Sequence, residues 1–128
     1  MIIEHIAFNV ADPVKTCAWY CEHLGLRIVR KIDVLPHTHF LADSAGKTVL
    51  EVYGHTKATV PPYGTMEPLS LHIAFVSEDV AADRERLLKA GASPAGEITT
   101  TDAGDVMTFV RDPWGLTVQF VKRVKPLV

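Results

Sequence analysis

Cysteine is scarce in this chain: Cys17 and Cys21 are the two among 128 residues. Two thiols four positions apart build no wider framework. That argues against a secreted disulfide scaffold and makes a reducing cytoplasm the expected setting. Excess positive charge is also lacking, since 13 Lys and Arg against 15 Asp and Glu leave a formal net charge of −2. Such a balance offers no electrostatic footprint for nucleic acid or for an acidic membrane surface. No apolar run approaches the ~20 residues of a membrane span. The opening Met1-Ile2-Ile3-Glu4-His5 has no basic segment and no cleavage site, so no signal peptide is expected.

What is present is an ordinary globular composition, 48% hydrophobic and 22% charged, on a chain long enough for one domain with a real core. Within it the tetrapeptide His-Ile-Ala-Phe occurs twice, at 5–8 and at 72–75. Each copy is followed at nearly the same distance by a strand-like run carrying a carboxylate or an amide. His5 precedes Glu51 by 51 − 5 = 46 residues, and His72 precedes Gln119 by 119 − 72 = 47. Self-similarity of this kind signals two related structural modules.

The residues between the repeats fill in each module. Ile2–Val10 alternates, with Ile2, Ile6, Phe8 and Val10 on one side and Ile3, His5, Ala7 and Asn9 on the other. Asp12-Pro13 is a helix start and Gly25 a helix stop, with Val14, Cys17, Ala18, Cys21 and Leu24 at helical spacing between them. Strands are expected over 27–34, 37–42 and 48–53, with the turn Asp43-Ser44-Ala45-Gly46 before the last. The Pro-rich and Gly-rich stretch that follows reads as a linker, and the pattern then restarts. A strand is expected over 71–76, a helix over 78–90 stopped by Gly91, and strands over 97–100, 106–111 and 116–122. Asp112-Pro113-Trp114-Gly115 occupies the place of the earlier turn.

The chain is therefore read as a single domain of two βαβββ modules, 1–54 and 69–123, joined by a linker over 55–68. The fold class is α+β, with tandem modules forming a cupped eight-stranded mixed sheet. Ile6, Phe8, Leu50, Val52, Ile73 and Phe75 are expected under the helices. Strand alternation turns His5, Glu51 and Gln119 to the opposite face, and pseudo-symmetry sends His72 there too.

Two imidazoles, a carboxylate and a carboxamide form a donor set for a divalent metal such as zinc, nickel, manganese or ferrous iron. Any one of these residues alone is more often structural; their paired recurrence is what points to a shared site. A metal held there would polarise a substrate oxygen and stabilise an enediolate or related anion.

In five motifs the chain resembles the vicinal oxygen chelate superfamily, which includes glyoxalase I, methylmalonyl-CoA epimerase, extradiol dioxygenases and bleomycin- and fosfomycin-resistance proteins. The motifs are His5-Ile-Ala-Phe-Asn-Val, Trp19-Tyr20-x-x-x-Leu24-Gly25-Leu26, Glu51, His72 and Asp112-Pro113-x-Gly115-x-x-x-Gln119. The resemblance covers Ile2 to Lys122. It implies metal ligation by His5, Glu51, His72 and Gln119, a small-molecule substrate and a homodimer. At the last ligand position relatives of the glyoxalase and epimerase type carry a glutamate that also moves a proton. Gln119 has no basic carboxylate, so the role of catalytic base falls to Glu51.

Three functional readings follow. The first is a metal-dependent lyase or isomerase acting on a small oxygenated substrate. The second is a single-domain ring-cleaving dioxygenase, since His5, His72 and Glu51 make the two-histidine, one-carboxylate set of non-haem iron enzymes. The third is a non-catalytic binder of a small molecule or antibiotic, with Tyr63, Phe109 and Trp114 as stacking surface. His37, His39 and Tyr53 are candidate substrate contacts, the two histidines on condition that Phe40 packs under the helix. Arg111 reads as a solvated side chain or a carboxylate binder. Cys17 and Cys21, on the helix stripe, read as small apolar core residues.

Overall fold

A computed structural model describes residues 1–47 and 49–127. Thr48, the expected first residue of the fourth strand, lies outside the described residues. The chain forms two compact units, residues 1–61 and 62–128. The division between them falls inside the stretch read as a linker.

In the first unit, β1 (Ile6–Asn9), α1 (Pro13–Leu24), β2 (Arg27–Lys31), β3 (His39–Ala42) and β4 (Val49–Tyr53) follow in order. The strands lie β1-β4-β3-β2. The β1–β4 pair is parallel and the others are antiparallel. Parallel pairing needs a long crossover, which α1 and the β2–β3 hairpin supply. The caps of α1 are those the sequence indicates. Asp12 accepts a hydrogen bond from the Lys15 amide at 3.0 Å, Pro13 is the first helical residue, and Gly25 adopts φ 69°.

The second unit repeats the order. A 3₁₀ turn (Tyr63–Thr65) precedes β5 (Ile73–Val76), α2 (Val80–Lys89), β6 (Ser93–Pro94), β7 (Thr99–Thr100), β8 (Val106–Arg111) and β9 (Thr117–Lys122). Here β5 pairs parallel to β9, β9 antiparallel to β8, and both β6 and β7 pair with β8. The two short pieces share one partner strand, so each unit has four strand positions. The α2 N-cap is Asp79, one residue beyond the expected start, and its carboxylate accepts from the Ala82 amide.

Some expectations need correction. The first strand begins at Ile6 and not Ile2, and residues 1–5 are exposed. Ile6 is 47% exposed instead of sheltered, because it opens β1 at the sheet edge. The strand expected over 27–34 stops at Lys31. Of the helix stripe, Val14 and Ala18 are exposed, and Ile73 and Phe75 on β5 are half-buried; the buried core is Phe8, Leu41, Leu50 and Val52 in the first unit, and Val110, Val118 and Phe120 in the second. Trp19, Tyr20 and Cys17 on α1 are also buried. Burial pushes the Cys17 thiol up to about 12, with Cys21 adding to the shift, so Cys17 is an inert packing group. No helix among the described residues is long and apolar enough to cross a membrane.

Candidate functional site

Register decides which side chains share a face. In the first unit Ala7 pairs with Glu51 and Glu51 with Phe40. His5, two residues before Ala7, has the same parity. Its Nε2 lies 3.2 Å from Glu51 Oε2. Its Nδ1 contacts the Glu4 carboxylate, and its ring meets the Phe40 ring edge-on at 6.1 Å and 78°. The hydrogen bond to Glu4 raises the His5 pKa above 6.5. The negative charges of Glu4 and Glu51 reinforce it, and slight desolvation opposes it. His5 is exposed and Glu51 half-buried.

The second unit builds a parallel arrangement. Ala74 pairs with Gln119 and Gln119 with Phe109, while His72 stands two residues before Ala74. His72 Nδ1 donates to the Pro68 carbonyl at 2.8 Å. In the neutral ring this bond puts the lone pair on Nε2. The ring meets Phe109 edge-on at 5.3 Å and 77°. Gln119 is buried, and its Nε2 donates weakly to Met107 Sδ at 3.5 Å. Farther along this face Ala74, Val76 and Val121 line an apolar hollow of about 400 Å³, flanked by Pro126 and Leu127.

The donor chemistry suits a divalent metal. Each histidine has its Nδ1 engaged by an oxygen acceptor, the arrangement that orients a metal-binding imidazole through Nε2. Each unit brings two of the four donors to one face. Among the described residues no three His, Cys, Asp or Glu side chains gather as a metal set. The grouping within each unit is therefore a pair.

The substrate-contact candidates are placed differently. Tyr53 follows Glu51 by two residues and shares its face, its ring against His55 at 6.2 Å. His39 pairs with Val52, on the opposite and buried face, where its Nδ1 donates to the His37 carbonyl at 2.6 Å. The condition on Phe40 fails, because Phe40 lies on the His5 side. His37 precedes the strand with φ 55°, so strand alternation does not reach it. Tyr63, a candidate stacking surface, is buried.

Arg111 is neither solvated nor free for a carboxylate. Its guanidinium donates to the carbonyls of Tyr63 at 2.8 Å, Met66 at 2.7 Å and Gly115 at 3.3 Å. It ties residues 63–66 to the turn before β9. Asn9 plays a comparable part in the first unit. Its amide donates to the His55 and Ala58 carbonyls and accepts from the His55 amide at 2.7 Å.

Sequence reasoning passed over the two site phenylalanines as a matched pair. Phe40 lies 51 − 40 = 11 residues before Glu51, and Phe109 lies 119 − 109 = 10 before Gln119. The repeat that revealed the histidines would have revealed these.

Comparison with known proteins bears on this paired arrangement. The family model "Glyoxalase/Bleomycin resistance protein/Dioxygenase superfamily" matches residues 2–120. The chain belongs to this superfamily. A curated relative from Brassica oleracea var. gemmifera, named "Putative lactoylglutathione lyase", is 26% identical over 129 residues, covering 93% of this chain and 43% of the relative. The chain thus spans less than half the length of that relative. Among solved structures, the glyoxalase family protein from Enterococcus faecalis superposes with a TM-score of 0.69 at 27% identity, over 94% of this chain and 96% of the other. TnmS3, an antibiotic binding protein from Streptomyces sp. CB03234, does so with a TM-score of 0.68 at 21% identity, over 96% and 98%.

Proposed function

We propose that the chain is a metal-dependent lyase or isomerase acting on a small oxygenated substrate. His5, Glu51, His72 and Gln119 are the donor set, for zinc, nickel, manganese or ferrous iron. The observation that carries this reading is the 3.2 Å approach of His5 Nε2 to Glu51 Oε2. The repeated placement of His72 and Gln119 on the matching face of the second unit supports it. The lyase name of the Brassica oleracea relative supports the reaction class. When bound, the metal supplies positive charge that stabilises an oxyanion.

The chain's own residues do the rest. Glu51 is the ionisable donor that can take a proton from carbon next to a carbonyl and return it to the neighbouring carbon. Gln119 holds a substrate or metal by its carbonyl oxygen and moves no proton. Phe40 and Phe109 hold the two imidazoles edge-on and give each pair an apolar border. We further propose a homodimer as the working assembly, following the resemblance to this superfamily.

A second reading, a small-molecule binder without catalysis, draws support from those phenylalanines and from the shared fold of TnmS3. Turnover separates the two. Metal-loaded protein given a thiohemiacetal or α-hydroxycarbonyl substrate without oxygen should turn over, and Glu51→Gln should lower turnover on the order of 100-fold or more. Affinity for a small molecule that persists after chelation, with no turnover under any of the four metals, would favour the binder. Oxygen consumption that requires ferrous iron would favour ring cleavage.

A further inference from the structure

The face that carries His5 and Glu51 continues across the sheet to a cation. Glu51 on β4 pairs with Phe40 on β3, and Phe40 pairs with Arg30 on β2. The guanidinium of Arg30 lies over the Phe40 ring, 6.0 Å from its centroid. Arg30 stands there because β2 is irregular. Arg27 pairs with Ala42 and Ile28 with Leu41, but the next pair is Arg30 with Phe40, so the register shifts between Ile28 and Arg30. In a regular strand Val29 would oppose Phe40, and Arg30 would oppose His39 on the buried face. A bulge of this kind re-aims a side chain at a cost in pairing.

Arg30 has no carboxylate partner among the described residues, whereas Lys31 beside it on β2 does. Lys31 pairs with Asp33 at 3.0 Å. Among the described residues the second unit shows no equivalent cation over Phe109. Ala95, just past β6, donates its amide to the Phe109 carbonyl. Arg111, the arginine of β8, is engaged with carbonyls.

We propose that Arg30 binds an anionic group of the substrate, a carboxylate or a phosphate-type oxyanion, two strand spacings from the His5–Glu51 pair. Two spacings correspond to ~10 Å. The substrate class is then a molecule with a metal-chelating oxygen function at one end and an anion at the other. Its apolar middle lies along Phe40. The guanidinium is suited to this because its planar fork can donate to two oxygens at once while it sits over the ring. The inference rests on the reading of His5 and Glu51 as metal ligands.

Three probes test it on cobalt-loaded full-length protein. Acetohydroxamate chelates metal and carries no tail. Suberic monohydroxamate adds a carboxylate on an extended chain that spans the required distance, and its methyl ester is the same molecule without the charge. The acid should bind about tenfold tighter than the ester, the scale of a charge-assisted hydrogen bond at an exposed position. Added salt should narrow that gap. Arg30→Gln should erase it and leave acetohydroxamate affinity and metal content unchanged. Arg30→Lys should restore part of it. Arg27→Gln, altered on the same strand beside the Gly46 turn, should leave it intact. Equal affinity of acid and ester, or a gap that survives Arg30→Gln, overturns the inference while the metal reading stands. Failure of the protein to hold cobalt overturns the metal reading and this inference with it.

Discussion

In residues 1–61 a histidine just ahead of its strand meets a phenylalanine edge-on and a carboxylate at 3.2 Å. In residues 62–128 the corresponding histidine meets a phenylalanine edge-on and shares its face with an amide. The frame is the same, and the charge is not. The first unit holds Glu4 and Glu51 beside its histidine and Arg30 farther across the same face. The second steadies its histidine with a backbone carbonyl and offers neutral Gln119. On the proposed reading, a repeated fold keeps the positions of four side chains while proton transfer and anion binding go to one copy. The other copy is left to orient.

The matched turns before β4 and β9 give the sharpest way to break the comparison. Gly46 and Gly115 both adopt positive φ, 69° and 98°. A Cβ on Gly115 would lie 2.6 Å from the Gly64 backbone, whereas one on Gly46 meets only the tip of Arg27 at 3.1 Å. Gly115→Ala should cost about 4 kcal/mol or more, since backbone must move, and Gly46→Ala about 1 kcal/mol. Thermal unfolding followed by circular dichroism checks both. Equal losses would mean the two turns are packed alike.

Next in size are the two acid and amide positions. Glu51→Gln should weaken metal binding on the order of 100-fold in a chelator competition, because it removes the set's one carboxylate. Gln119→Glu should not weaken it. If the two substitutions act with the same sign, the division of labour between the units is wrong.

The clamps come third. Arg111→Met strips three carbonyls of a charged donor and should cost about 2–3 kcal/mol. Asn9→Ala breaks neutral hydrogen bonds and should cost about 1–2 kcal/mol. Denaturant melts rank them.

The smallest effect concerns His5 itself. Its raised pKa favours the imidazolium, so any stability the contact gives is full below the ordinary histidine range and fades as pH rises through the raised value. Metal must displace that proton, so uptake should weaken as pH falls. An NMR titration should find His5 above 6.5, and Glu4→Gln should bring it down. An unmoved midpoint would remove Glu4 from the account.

Much of this was legible in the sequence wherever a local rule sufficed. Asp12, Pro13 and Gly25 bound α1 as capping chemistry requires, and strand β8 runs over 106–111 as its alternation indicates. The parity of Glu51 and Gln119 followed from period two. Sequence reasoning lost its grip where long-range geometry decided. The two-residue strand Ser93–Pro94 is too short for a pattern, and it exists because β8 offers an edge. The carbonyls that hold Arg111 at Tyr63 and Met66 are 48 and 45 residues away. The bulge that turns Arg30 is invisible in Arg27-Ile28-Val29-Arg30. His39 went to the buried face because Phe40, the residue whose side decides it, took the His5 side.

The most direct test of the central proposal, that His5, Glu51, His72 and Gln119 are metal donors, is metal content. Protein purified after loading with zinc, nickel, manganese or anaerobic ferrous iron would be compared with His5→Ala and His72→Ala variants. The account predicts one ion per donor set, lost in both variants while their folding is intact. No bound metal under any of these conditions, or full retention in either variant, would contradict it.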